Sequence, residues 1–246
     1  MRIGVLGTTN TIGHQVSSRL SFLGHEVVAL GRTPGPNSSQ FVRFDLSSPT
    51  TQLDVDLDAV VMLSWIGSPR DASTMNLNVS GYRVIAAWLR TTGIHPVFVS
   101  SVTAFSESRS LHSRAKAEVE SLFDGWGSVV QLGQVVDKFG KVAGRSARVS
   151  SFLASCGSIF RTELAIPIVR LEHVVDEICS LAVHRNVVVN QMVDEVIRVG
   201  GPSKASLTVS SKFIETMIKS LLVLSPSRRL DVLDRWYALV DSQQRY

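Results

Sequence analysis

The sequence predicts a doubly wound α/β domain, and three observations carry that expectation. Short, nearly continuous apolar runs recur through the first two-thirds of the chain: "RIGVLG", "HEVVALG", "DLDAVVMLS" and "HPVFVSS", with further strands expected at "SVVQLG" and "NVVVNQ". Segments with helical apolar spacing lie between them. A glycine-bearing turn, "GTTNTIG", joins the first run to the first helix. Strands that are apolar along their whole length are buried on both faces, which a parallel sheet between two helix layers provides, and the crossovers joining them are right-handed.

In chain order, "RIGVLG" reads as a buried strand, and Ile12, Val16, Leu20 and Leu23 then recur at helical spacing. The second strand, "HEVVALG", leads into Arg32. "FVRFDLSSP" places Asp45 at the end of a third strand. "DLDAVVMLS" is followed by a helix whose apolar stripe is Val79, Ile85, Ala86 and Leu89, and "HPVFVSS" closes the run of strong strand signals. After Gln134 the pattern loosens. "DKFGKVAGRSARVSSF" is polar, "PIVRLEHVVDEICSLAVH" is helix-like after Pro167, and Leu230, Leu233, Trp236, Tyr237 and Val240 form one face of a last helix. Neither a repeat nor a linker is visible. The expectation is one domain over 1–246, with the segments within about 137–246 interleaved into it rather than standing alone.

Composition narrows the function classes. Apolar residues make up 44% of the 246 and charged residues 19%, enough for a sizeable core. The net charge of +4 comes from cations spread singly, such as Arg83, Arg90, Arg114, Arg145 and Arg148, with Arg228 and Arg229 adjacent. That spread argues against nucleic acid and suits an anionic small molecule. Cys156 and Cys179 form neither a disulfide framework nor a metal motif, so reduced, structural thiols and no metal are expected. No apolar run approaches the ~20 residues of a membrane span, and the apolar start of "MRIGVLGTTN" is too short for a leader. These point to a soluble cytoplasmic protein without a membrane partner.

The turn "GTTNTIG" carries the first chemical signal. Gly7 lets the chain bend sharply after the strand, and Gly13 permits close packing of the helix, whose first N–H groups then face a phosphate. The same pair also fits a strand–helix turn with no ligand. In a dinucleotide site the end of the second strand meets the adenosine ribose, where an acidic residue accepts from a 2′-hydroxyl and an arginine pairs with a 2′-phosphate. Arg32 therefore favours NADP over NAD, unless it is a plain surface arginine. Asp45 either approaches the adenine edge or caps the next turn.

The succession "GVLGTTNTIG", "VALGR", "FDL", "DAVVMLSW", "NLNVSGYRVIAAWLRTTG", "PVFVSSVTAF", "HSRAKAEVE" and "VVQLGQVV" resembles the extended short-chain dehydrogenase/reductase superfamily, which includes the NAD(P)-dependent sugar-nucleotide epimerases and dehydratases. The resemblance runs from Met1 to Val136, with a weaker echo at "IPIVRLEHVVDEI" and "EVIRVGGPSKASLTV". It implies a Rossmann-type domain with a small C-terminal substrate lobe, reduced here because the chain is short. It also implies NADP, or NAD, held at Gly7, Thr9, Asn10, Ile12, Gly13, Arg32, Asp45, Leu63 and Lys116, a small-molecule substrate of nucleotide-sugar type, and a homodimer.

The family's catalytic set is a Ser or Thr after the strand, then Tyr-x-x-x-Lys on the next helix. Ser101 matches the hydroxyl and Lys116 the lysine, while the tyrosine position holds His112. The chain's three tyrosines, Tyr82, Tyr237 and Tyr246, stand elsewhere, and Phe105 follows the serine pair where a tyrosine is common. Asn10 replaces the turn's usual middle glycine and is expected to tolerate left-handed backbone. Gln131 and Leu132 stand where Arg-Pro precedes the retained Gly133. Asn78 matches a family asparagine that is structural or holds a water of a proton relay. A neutral imidazole replaces a phenol at the proton-transfer position, because a neighbouring ammonium lowers its pKa from ~6.5. Three readings stay open. His112 is an altered acid/base, a relic in a cofactor-binding protein with little turnover, or a plain helix residue. The corresponding functions are an oxidoreductase or epimerase acting on a sugar-nucleotide-like carbonyl or alcohol, a cofactor-binding regulatory or interaction protein, and a scaffold that has lost the cofactor as well.

Overall fold

The computed structural model describes residues 1–35, 37–49, 53–67, 70–142, 164–199 and 226–243. Seven parallel strands form the main sheet in the order β3-β2-β1-β4-β5-β6-β9. They are β1 (Arg2–Leu6), β2 (Glu26–Gly31), β3 (Gln40–Arg43), β4 (Ala59–Met62), β5 (His95–Ser101), β6 (Ser128–Leu132) and β9 (Val189–Met192). The doubly wound sheet expected from the apolar runs is therefore present. The order reverses between β1 and β4, and the crevice beyond the strand ends at such a point is where this topology places ligands.

Alternation along the strands sorts the core into two layers. Ile3, Val5, Val27 and Val61 pack with Val16 and Leu20 of α1 (Thr11–Phe22) and with Val174, Ile178 and Cys179 of α4 (Leu171–His184). Leu6, Val28, Leu30, Val60 and Met62 face the opposite way, toward Val79, Tyr82, Ile85 and Leu89 of α2 (Ala72–Thr92) and Val119 of α3 (Leu111–Ser121). Full burial of each such side chain stabilises by roughly 1.5–3 kcal/mol, so the two layers hold the sheet rigid beneath its strand ends. The α2 stripe expected at Val79, Ile85, Ala86 and Leu89 is buried throughout. Asp71 caps that helix by accepting from the Thr74 amide, and Gly93 ends it at φ 69°.

Two sequence expectations need correction, and a third gains polar anchors. Leu23 does not join the α1 stripe: it is the C-cap residue and stands 47% exposed, because the chain leaves the helix axis there toward β2. The helix expected after Pro167 starts only at Leu171. Leu164–Arg170 is instead β8, antiparallel to β10 (Glu195–Val199) and parallel to β7 (Gln134–Val136) in a second, three-stranded sheet. Pro167 is accommodated because β7 pairs only with Ile168–Arg170, leaving the proline outside that ladder. The last helix, α5 (Pro226–Ser242), buries Asp234, Trp236, Ala238 and Ser242, while Leu233, Tyr237 and Val240 are half-buried. Polar anchoring, not an apolar stripe alone, fixes its orientation. The side chain of Leu230, Cys156, Arg145, Arg148 and the segment "GPSKASLTV" lie outside the described residues. Cys179 is a buried free thiol, pushed up to about 12 chiefly by that burial.

Candidate active site

A cavity of about 860 Å³ opens at the carboxyl ends of β1, β4, β5 and β6. Its first wall is the β1–α1 turn. Gly7 has φ 104°, and a Cβ on it would come within 3.0 Å of the Ser64 amide nitrogen. Gly13 faces away from the cavity lining: a Cβ there would lie 2.2 Å from the Gly7 carbonyl oxygen. The two glycines thus do different things, one keeping the cavity floor bare and the other letting α1 close on the strand. Asn10 differs from its expected left-handed role. Its backbone is extended (φ −86°, ψ 163°), because it is the N-cap of α1. Its Oδ1 accepts from the Gly13 amide at 2.7 Å and its Nδ2 donates to the Leu63 carbonyl at 3.3 Å, tying the turn to the end of β4. Thr9, Thr11, Ile12 and Leu63 complete this wall, and the exposed Arg32 stands at its far end, just beyond β2.

Asp45 is not part of the lining. Its Oδ1 accepts from the Ser47 amide at 2.9 Å and the Ser47 hydroxyl at 2.8 Å, and the amide bond, first among the causes, holds its pKa below the usual carboxylate value. Of the two roles open to it in the sequence, the capped turn is the one these contacts show.

The opposite wall comes from the end of β5 and from α3. Ser101 Oγ lies 2.9 Å from Thr103 Oγ1 and accepts from the Thr103 amide at 3.3 Å, while the neighbouring Ser100 Oγ is buried without a hydrogen-bond partner. Ser110 caps α3 by accepting from the Ser113 amide. One helical turn apart, His112 and Lys116 then present to the same side. Lys116 is buried, donates to the Val99 carbonyl at 2.8 Å, and sits 4.3 Å from the centre of the Trp65 ring and 4.7 Å from that of Phe98. Burial pushes its pKa down to about 7, with the Arg70 charge acting in the same sense and Glu120 opposing it. His112 meets Trp65 edge-on at 5.4 Å, and its Nδ1 is buried without a hydrogen-bond partner. Burial first, then the charges of Arg70, Lys116 and Arg235, hold its imidazole well below 6.5. The ring is neutral at pH 7, able to accept a proton or donate its single N–H.

Tyr82 is no stand-in for the missing phenol. It is buried in α2, donates to the Ser64 carbonyl at 2.5 Å, and its pKa is raised by burial. Asn78 is wholly structural: its amide accepts from the Ile66 N–H and donates to the Ile66 and Thr74 carbonyls. Gln131 bridges Glu120 and Gln191, and Gly133 lets the chain pass close to the Pro167 carbonyl, which a Cβ would approach to 2.7 Å.

Residues 3–122 match the model of the NAD dependent epimerase/dehydratase family. The match covers just under half of the chain. Solved structures with the family's fold align over nearly the whole chain. A nucleoside-diphosphate-sugar epimerase from Staphylococcus aureus gives a TM-score of 0.70 at 10% identity, covering 98% of this chain and 91% of that one. The UDP-N-acetylglucosamine 4-epimerase from Bacillus cereus gives 0.65 at 14%, covering 96% and 99%. A human epimerase family protein solved with NADPH gives 0.63 at 16%, covering 98% and 93%. At these identities the likeness is one of fold. No curated protein matches the chain.

The nicotinamide dinucleotide in the family's name fits the residues present. Gly7 is a positive-φ glycine whose Cβ would press on the Leu63–Ser64 backbone, the N-terminal turn of α1 borders the cavity, and the Arg32 cation lines it. The cavity gathers Gly7, Thr9, Asn10, Ile12, Arg32 and Leu63 on one side and Ser101, His112 and Lys116 on the other. Gly13 and Asp45 stay outside the lining. Sequence reasoning missed Trp65, Arg70, Thr103 and Arg235. Trp65 and Thr103 lie within quoted motifs, "DAVVMLSW" and "PVFVSSVTAF", without having been singled out, and nothing local marks Arg70 or Arg235 as neighbours of His112.

Proposed function

We propose that this protein is an atypical NADP(H)-binding oxidoreductase or epimerase of the short-chain dehydrogenase/reductase type, acting on a sugar-nucleotide-like carbonyl or alcohol. The observation that carries the reading is one cavity joining the Gly7 turn and Arg32 to Ser101, His112 and Lys116. Gly7, Thr9, Asn10, Ile12 and Leu63, with Gly13 packed behind them, would hold the dinucleotide. Arg32 would pair with the 2′-phosphate, with Asp45 beyond it. When bound, the cofactor supplies hydride transfer. The chain's own groups do the rest. Ser101 Oγ, steadied by Thr103, hydrogen-bonds the substrate oxygen. The neutral His112 ring would accept the hydroxyl proton on oxidation, and on reduction the imidazolium would return it. Lys116, which donates to the Val99 carbonyl, would also reach the nicotinamide ribose.

Two nucleotide-sugar enzymes among the structural neighbours support the substrate class: one was solved with UDP-glucose and NAD, another is an NAD dependent NDP-hexosamine dehydratase. The substrate-lobe segments would fall within about 137–246 of a single domain. The reading includes a cytoplasmic protein that dimerises with itself; among the described residues no helix is long and apolar enough to cross a membrane. A second reading has its own support. A half-buried neutral imidazole replaces the phenol at the proton-transfer position, which fits a cofactor-binding regulatory protein with little turnover. Proton transfer by a positioned side chain contributes about 10²–10⁴-fold, so the two readings differ by that factor in rate.

Fluorescence titration with NADPH and NADH, followed by turnover of UDP-sugars in wild type and His112→Ala, tests both. Binding with a rate abolished by His112→Ala supports the enzyme, and binding with no turnover supports the regulator. Failure to bind either nucleotide sinks both.

A further inference from the structure

The C-terminal helix α5 is fastened to the cavity by carboxylates as well as by its buried Trp236 and Ala238. Asp234, 5% exposed, receives the Ser110 hydroxyl at 3.0 Å, the Leu111 amide at 2.6 Å, the His112 amide at 3.4 Å and the Arg70 guanidinium at 3.2 Å. Both side chains of that ion pair are nearly sequestered, at 12% and 6% exposure. A carboxylate at this depth is stable only when its oxygens are fully engaged. Here the donors include the first amides of α3, where the helix dipole also favours a negative charge. Seven residues on, and so on the same face, Asp241 receives the Ser108 hydroxyl and the Arg109 amide and guanidinium. The Arg109 side chain is 48% exposed, which makes this second fastening the weaker one.

We infer that Asp234 is the positioning residue of the cavity. Bound at once by Arg70, Ser110 and the first amides of α3, it locks the C-terminal helix onto the turn that carries His112. It thereby fixes the outer wall that Arg235, Ala238 and Leu239 present to the cavity. The inference rests on the reading of this cavity as the cofactor and substrate site. The lock acts on both sides of the substrate space. On one side it sets the backbone of His112, whose N–H it accepts. On the other it sets the helix whose next residue, Arg235, and whose Ala238 and Leu239 line the same cavity as Ser101. The same carboxylate balances Arg70, one of the charges that bear on the His112 ring.

The test uses the full chain and reads His112 directly. Diethyl pyrocarbonate modifies neutral imidazoles, and peptide mass gives the rate at His112 separately from the other histidines. At pH 7 the His112 ring is already neutral, so its rate reports exposure. Asp234→Ala should raise that rate about tenfold or more, because the Ser110 hydroxyl and the first amides of α3 lose the acceptor that holds α5 against them, which favours local opening. Asp234→Glu should restore part of the protection. Asp241→Ala should raise the His112 rate less than Asp234→Ala does. Where a UDP-sugar is turned over, Asp234→Ala should lower kcat more than it raises KM.

An unchanged His112 rate in Asp234→Ala overturns the inference. So does an equal rise in Asp241→Ala, which would reduce Asp234 to general docking of the helix. If Asp234→Ala does not fold, Asp234→Asn keeps the shape and one acceptor and is read by the same criteria. Wild type that fails to bind NADPH sinks the functional reading instead, and leaves the His112 rates to decide the positioning role.

Discussion

Replacing Lys116 by methionine should make the protein more stable at low pH and remove most of its pH dependence above neutrality. The lysine is buried between Trp65 and Phe98, and its pKa falls from the ordinary 10.5 to about 7. Between those two values the unfolded chain binds a proton there that the folded chain does not, so stability rises with pH across that window. Below about pH 7 both states carry the proton, and the folded protein bears the full cost of a buried ammonium. At 1.36 kcal/mol per pH unit the window corresponds to roughly 4–5 kcal/mol. The hydrogen bond to Val99 and the two aromatic faces favour the charged form, so that figure is an upper bound. Urea unfolding of both proteins at pH 6, 7.5 and 9 gives the answer. Lys116→Met should be the more stable at pH 6, with the gap narrowed by more than half at pH 9. A gap that does not change with pH, or a mutant less stable than wild type at pH 6, would refute the argument that burial of the amine dominates.

Arg32→Ala should weaken NADPH and leave NADH nearly unchanged; a charge-assisted bond to a 2′-phosphate contributes about 1.5–3 kcal/mol, or roughly 10–100-fold in the ratio of the two Kd values. Asn10→Gly should lower Tm only slightly, because glycine is itself a tolerated N-cap that costs a few tenths of a kcal/mol. Its NADPH affinity should hold or improve; a large loss would mean that the Asn10 amide itself touches the cofactor. If the second reading of the site is correct, His112→Tyr should raise turnover of UDP-sugars in a protein that is otherwise slow, and an unchanged rate would count against a missing phenol as the reason. Cys179, with its thiol pushed up to about 12, should resist iodoacetamide at pH 8 in the native protein and react after denaturation, as read by peptide mass.

The doubly wound sheet was legible in the sequence because its signals are local. Val27–Leu30 and Val97–Val99 are apolar at successive positions, which suits strands covered on both faces. The Gly7 turn was legible because a sharp bend between strand and helix has few solutions. Ser101, His112 and Lys116 could be set in one row because strand end and helix face are fixed by residue spacing. Other features depended on partners distant along the chain. Pro167 reads locally as the start of a helix, yet it lies in a strand whose partners are β7 and β10. Leu23 continues a helical period that the chain itself abandons. Asp45 carried two roles in sequence, and the Ser47 contacts place it in one. Most of all, the buried surroundings of His112 and Lys116 come from Trp65, Arg70 and α5. Asp234 meets Ser110 across 124 residues. No periodicity encodes that meeting, because a buried carboxylate is selected by donors that only the folded chain brings together.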